Sequence, residues 1–324
     1  MRPFKFARAT DLNDALARLS RPGTRALAGG TTLVDLLKLG VETPDVVVDI
    51  CGLPLSGIAL RSGVLTIGAL VSNADAAAHS DIRRCAPAIS QAILAGASGQ
   101  IRNAATMAGN LLQRTRCSYF RSTDWPCNKR LPGSGCPALT GINGGHAVLG
   151  VSGACIAVNP SDLAVALVAA DASVRLVSKS GERFVKVDEF YHLPGDTPAV
   201  ETCLGAAELI TEIVVPVTPL NATARYLKLR GRASYEFASA SVAAAVIMND
   251  DLVAEVAIAL GGLGVKPWRD RTAEAELIGQ PLEQAAISRF CDALLAGAVT
   301  RPANQHKLAL ARGAIARVLR RSAS

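Results

Sequence analysis

Residues 24–40 read TRALAGGTTLVDLLKLG. A short apolar strand, Arg25 to Ala28, feeds the double glycine Gly29-Gly30. Thr31-Thr32 follow, and a helical pattern begins at Leu33 and stops at Gly40. Glycines let backbone N–H groups approach a pyrophosphate closely. A helix start favours its charge, and threonine hydroxyls donate to it. The spacing is not the G-x-G-x-x-G of the dinucleotide fold. A tight strand-to-helix turn in an unrelated core reads the same, so the motif needs company.

Further along, Thr106-Met107-Ala108-Gly109-Asn110-Leu111 follows Gly96-Ala97-Ser98-Gly99-Gln100. Small residues again permit close backbone approach, and Asn110 adds donors. A buried glycine turn is the plain alternative. Asn159-Pro160-Ser161-Asp162-Leu163 opens another helix. Asp162 there either caps the helix or accepts from a ribose or ribityl hydroxyl. Tyr226-Leu227-Lys228-Leu229-Arg230 reads as a strand. Lys228 is either a solvent-facing residue or a cation for a reduced flavin ring.

Between the second and third motifs lies the irregular, Gly-, Pro- and Arg-rich stretch CSYFRSTDWPCNKRLPGSGC, residues 117–136. With Cys155 it gives C-x9-C-x8-C-x18-C. Zinc sites commonly pair ligands as C-x2-4-C, and this stretch does not. Four thiolates from a long loop suit an iron–sulfur cube better than zinc. Arg114, Arg116, Arg121, Lys129 and Arg130 face only Asp124 locally, a cationic shell suited to an anionic cluster. Four unligated thiols in a solvated basic loop is the other reading. His146 lies near enough in sequence to replace a cysteine, although four cysteines suffice. The remaining four of the eight cysteines, Cys51, Cys85, Cys203 and Cys291, read as small core residues.

At 324 residues the chain has room for two domains with full cores. Half of it is apolar and no run is long enough to span a membrane. The N-terminus shows no export signal, which leaves the cytoplasm, or the periplasm by co-export with a signal-bearing partner. The net charge is +7. Part of the excess is Arg301, Lys307, Arg312, Arg317, Arg320 and Arg321, which read as a solvated helix face that an acidic partner would suit. No nucleic-acid motif accompanies them. No Ser/His/Asp or Cys/His nucleophile pattern is present.

Helices are expected after Thr10 as N-cap, over Leu33–Leu39, Pro87–Ala95 and Ser161–Ala170. Strands are expected at 46–50, 65–71, 155–158, 174–177, 183–187 and 209–217. After a boundary near 220, strands at 224–229, 239–248 and 253–260 precede helices near 270–279, 282–297 and 302–320. Strands followed by helices define an α+β domain.

Taken together, these motifs resemble the FAD-binding subunit of the xanthine dehydrogenase family of molybdenum hydroxylases, over essentially the whole chain. The shared pattern is AGGT near 30, T-x-x-GN near 110, P-x-D near 160, K-x-R near 230, and K-P-x-R at Lys266-Pro267-Trp268-Arg269. The cysteine insert departs from most such subunits. It resembles the 4Fe–4S-bearing flavin subunits of 4-hydroxybenzoyl-CoA reductase and, more closely, of periplasmic-type bacterial aldehyde oxidoreductase.

The resemblance implies an α+β fold. A vanillyl-alcohol-oxidase/PCMH-type FAD domain would cover 1–218, with subdomains of about 1–55 and 56–218 and the cluster loop at 114–156. A C-terminal domain of antiparallel sheet plus helices would cover 222–320. It implies FAD contacts at Leu27, Ala28, Gly29, Gly30, Thr31, Thr32, Leu33, Thr106, Gly109, Asn110, Asp162 and Lys228. It implies cluster ligation by Cys117, Cys127, Cys136 and Cys155. Partners would be a large subunit with the molybdenum cofactor, a small 2Fe–2S subunit and an external electron acceptor. A stand-alone flavin oxidase and a zinc-braced scaffold are the competing readings.

Overall fold

A computed structural model describes residues 1–322. Three sheets follow one another along the chain. The first is parallel and three-stranded, in the order β1 (Lys5–Arg8), β3 (Val46–Asp49), β2 (Thr24–Leu27), with Val46 level with both Lys5 and Thr24. Leu12–Leu19 returns between β1 and β2 and buries Ala15, Leu16 and Leu19. Its N-cap is Asp11, not Thr10: the Asp11 carboxylate accepts from the Asp14 N–H at 2.9 Å. Thr10 lies one residue outside, its own N–H donating to the Asp14 carboxylate at 3.1 Å.

The second sheet is antiparallel and five-stranded. Its order is β4 (Ile58–Arg61), β5 (Val64–Gly68), β8 (Leu209–Pro216), β6 (Ser173–Ser178), β7 (Gly181–Lys186). Ser62 and Gly63, both with positive φ, make the two-residue turn that joins β4 to β5, the turn whose twist matches paired strands. Against this sheet pack Pro87–Ala95 and Asp162–Ala169. The latter is buried on every side from Leu163 to Ala169, so each of its Leu and Val side chains contributes about 1.5–3 kcal/mol of burial.

The third sheet, β11 (Leu252–Gly261), β10 (Ala240–Asn249), β9 (Arg225–Leu229), is antiparallel. Strand alternation divides its faces. Ala243, Ala245 and Ala259 join the core of the second sheet, small enough for close approach to the buried helix. Val242, Ala244, Val246, Ile258 and Leu260 face Gln284–Leu295 and His306–Ser322 on the other side. Arg269 ties the layers together: its guanidinium pairs with Glu274 at 2.8 Å and donates to the Val168 carbonyl at 3.0 Å, at the last turn of the buried helix.

The expected helix at 270–279 is a single turn, Arg271–Glu274. Residues 155–158 form no strand. Of the four cysteines read as core, Cys85 and Cys291 are buried, Cys203 is half-buried and Cys51 is exposed. Among the described residues, no helix is long and apolar enough to cross a membrane.

Candidate functional site

The glycine motifs converge. Ala28, Gly29, Gly30, Thr31, Thr32 and Leu33 line one cleft with Thr106, Gly109, Asn159 and Pro160. The cleft encloses about 2240 Å³ of empty space, its open mouth included. Gly29 is required by contact: a Cβ there would lie 1.8 Å from the Ala104 carbonyl oxygen, where the second motif's approach packs against the first. Gly30 is required by conformation, with φ +70°, a region that costs other residues roughly 1–2 kcal/mol. Thr106 caps Met107–Leu111 through the Gly109 N–H at 3.3 Å. Thr32 is different. It stands at the N-cap of Leu33–Lys38 and makes no side-chain capping bond, so its hydroxyl remains available on the cleft wall.

The other candidate residues sit behind that wall. Leu27 ends β2, and its carbonyl accepts from the Ile50 N–H at 2.9 Å. Asn110 accepts from the Ser161 hydroxyl at 2.8 Å, which joins the second and third motifs. Ser161, not Asp162, caps the helix, accepting from the Ala164 N–H at 3.1 Å. The Asp162 carboxylate instead accepts from Lys228 Nζ at 2.7 Å and from the Tyr226 hydroxyl at 2.5 Å. This pair is nearly dry, with Lys228 and Asp162 side chains 4% and 10% exposed. Lys228 is therefore not a solvent-face residue. Burial, and then the Asp162 charge, push the Tyr226 hydroxyl well above its usual range, so it stays a donor.

All four cysteines of the loop line a second, smaller chamber, about 300 Å³ of empty space with its open mouth included, together with Tyr119, Phe120, Ala138, His146 and Ala157. All are free thiols. His146 Nε2 lies 3.2 Å from Cys117 Sγ, while its Nδ1 is buried without a partner. Burial, then the positive charge of Lys307, holds the imidazole below its ordinary pKa. Burial pushes the Cys117 thiol up and the Cys155 thiol up to about 11. Thiols held neutral by burial ionise when a metal centre binds them. Among the described residues, no group of three or more His, Cys, Asp or Glu is already drawn together closely enough to hold a metal ion. The donor set is all sulfur, which suits either zinc or an iron–sulfur cluster.

The expected cationic shell is differently employed. Arg114 pairs with Glu42 and Glu201, each at 2.6 Å, Arg121 with Asp35 at 2.8 Å and Lys129 with Glu201 at 2.6 Å. Arg130 donates to the Tyr119 and Phe120 carbonyls, each at 2.6 Å, and to that of Trp125. Arg116 stacks on Phe237 at 4.9 Å and donates to the Arg114 carbonyl. The acids these cations meet are 72 to 87 residues away in sequence. Nothing local advertises Glu42 or Glu201 as part of this region.

Lys307 is likewise not on a solvated face. It is 1% exposed and donates to the Gly262 and Ser239 carbonyls at 2.6 and 3.2 Å.

This is the architecture of a flavin-carrying subunit with an added thiol chamber. Residues 2–218 match the family described as the FAD binding domain in molybdopterin dehydrogenase, and 225–322 match the CO dehydrogenase flavoprotein C-terminal domain. The chain is 48% identical, over 98% of both sequences, to the aldehyde oxidoreductase FAD-binding subunit PaoB of Escherichia coli K12. It is 28% identical to the glyceraldehyde dehydrogenase medium chain of Sulfolobus acidocaldarius, over 88% of this chain and 84% of that one. Its fold matches carbon monoxide dehydrogenase of Hydrogenophaga pseudoflava, with a TM-score of 0.76, 23% identity and coverage of 99% and 97% of the two chains. The protein belongs to the FAD-binding subunits of the molybdenum hydroxylase family and is an oxidoreductase subunit.

Proposed function

We propose that this chain is the FAD- and 4Fe–4S-carrying electron-transfer subunit of a molybdenum-dependent aldehyde oxidoreductase. A large subunit with the molybdenum cofactor would convert aldehyde to carboxylate, and a small subunit would pass electrons through 2Fe–2S centres to this one. An external acceptor would receive them. The observation that carries the reading is the adjacency of the glycine cleft and the four-thiol chamber. The aldehyde assignment is supported by the 48%-identical relative, whose name specifies an aldehyde oxidoreductase.

Bound FAD would supply two-electron storage with single-electron exchange. The chain's own residues bind and exclude water. Backbone N–H groups of Ala28–Leu33, the Thr31 and Thr32 hydroxyls, and Thr106 and Gly109 would hold the pyrophosphate. Leu27 and Asn110 brace those loops. Asp162, at the start of the buried helix, and Lys228, on the edge strand of the third sheet, stand behind the cleft wall and would brace the flavin end of the site from there. Cys117, Cys127, Cys136 and Cys155 would ligate the cluster. The division into 1–218, with subdomains near 1–55 and 56–218, and 222–320 belongs to the same proposal.

The test is anaerobic purification, iron and acid-labile sulfide assay, and optical and EPR spectra before and after dithionite. About four irons per chain beside one FAD, with a reduced-cluster signal, is the expected result. Flavin without iron overturns the cluster half. One zinc per colourless chain overturns the whole.

A further inference from the structure

The two chambers share a wall. Lys129, Cys155 and Ala157 line both, and Lys129 is the only charged residue among the three. Its side chain is 11% exposed. Nζ donates to Glu201 at 2.6 Å and to the Pro198 carbonyl at 3.2 Å. Glu201 is held in turn by Arg114 at 2.6 Å, and Arg114 by Glu42 at 2.6 Å. Glu42, Arg114 and Glu201 line the cleft but not the cysteine chamber. Arg25 also pairs with Glu42, at 3.2 Å, so three bases and two acids form the network, and only Lys129 of them reaches the cysteine chamber. Lys129 lines the cysteine chamber as well as the cleft, whereas its counter-ion Glu201 lines the cleft alone.

We propose that Lys129 is a positioning residue that sets the reduction potential of the thiol-bound cluster relative to the flavin, and that Glu201 holds it in the shared wall. The proposal rests on the two-cofactor reading above. One electron entering the cysteine chamber adds one negative charge and makes or breaks no bond. A fixed cation in a poorly solvated wall stabilises that charge, and more strongly than it stabilises charge across the cleft, where Glu201 offsets it.

The experiment is an EPR-monitored redox titration of the cluster and an optical titration of the flavin in the holoenzyme. Lys129→Met should lower the cluster potential, with a tenfold change in the reduced-to-oxidised ratio at fixed potential, about 59 mV for one electron. The flavin should move less, and iron, sulfide and FAD contents should stay at wild-type values. Lys129→Arg should restore the potential. Glu201→Gln should move it the opposite way, and this sign carries the test if Lys129→Met loses iron. Full iron content with an unmoved cluster, or Glu201→Gln moving it downward, overturns the proposal alone. Wild-type protein with FAD and no iron overturns the two-cofactor reading and the proposal with it.

Discussion

The glycine cleft and the cysteine chamber stand side by side and are built by opposite means. The cleft is a backbone structure. Its walls are turns between regular elements, fixed by one glycine that admits the Ala104 carbonyl and another at positive φ. The chamber is a side-chain structure. From residue 112 to 157 the chain has one four-residue helix and one 3-10 turn. Its carbonyls are met by Arg130, Asn128 and Asn143, and from the C-terminal region by Arg301 and Asn304. Buried carbonyls without secondary structure must find such donors. One region is thus written in short motifs, and the other in contacts distant in sequence.

That contrast predicts separable lesions. Gly29→Ala should abolish FAD retention and leave iron bound, whereas Cys136→Ser should abolish iron and leave FAD. Cofactor content of the purified variants measures both, and loss of both cofactors from either change would erase the distinction. The next effect concerns the Asp162–Lys228 pair. Asp162→Ala strands a buried cation and should cost roughly 3–5 kcal/mol in denaturant unfolding, with FAD lost. Adding Lys228→Met should recover most of the stability. If FAD binding returns with it, the pair is scaffolding; if not, the carboxylate meets the cofactor.

Lys307 gives a pH-dependent test on the cysteine side. Burial pulls its pKa down to about 8 from 10.5. Between those values the unfolded chain keeps a proton that the folded chain has released, so stability rises with pH across that window. Below about 8 both states are protonated and the whole cost is present. Relative to Lys307→Met, the wild-type protein should gain up to about 3 kcal/mol between pH 7.5 and 10.5, read as the difference in unfolding free energy. A parallel pH profile in the two proteins would remove the buried charge from the account. The smallest expected effect is Arg175→Ala, on the second sheet away from both chambers. Its partly exposed pairs with Glu182 and Glu212 should be worth no more than about 1 kcal/mol, with both cofactors retained.

The sequence carried most of the elements because their patterns are local. The three C-terminal strands and the helices at 284–295 and 306–322 lie within a few residues of expectation. Lys5–Arg8 and Ile58–Arg61 were not anticipated, being four-residue edge strands whose pairing lies outside their own sequence. The N-cap expected at Thr10 is Asp11, one residue on, and of the two readings open for Asp162 the capping one falls to Ser161, because the neighbouring side chain offers the same chemistry. The glycine and threonine residues of the cleft were legible because they are sequence motifs. Glu42 and Glu201 were not, because a carboxylate chosen by an arginine from the other end of the domain leaves no local trace. The buried Lys307 likewise reads as an ordinary basic residue until Ser239 and Gly262 come to meet it.

The donors at Arg301 and Asn304 have a consequence for biosynthesis. Asn304, fully buried, holds the Ala147 carbonyl, Arg301 holds that of Leu139, and the Val299 N–H holds that of Val148. A chain emerging from the ribosome N-terminus first makes its glycine cleft from residues up to 210, apart from Val265, but it cannot close the back of the cysteine loop until residues near 300 arrive. The nascent protein can therefore complete the fold around one chamber while the other still lacks its last brace. A metal delivered to the four thiols would have an interval of open access that ends once residues near 300 have joined the fold.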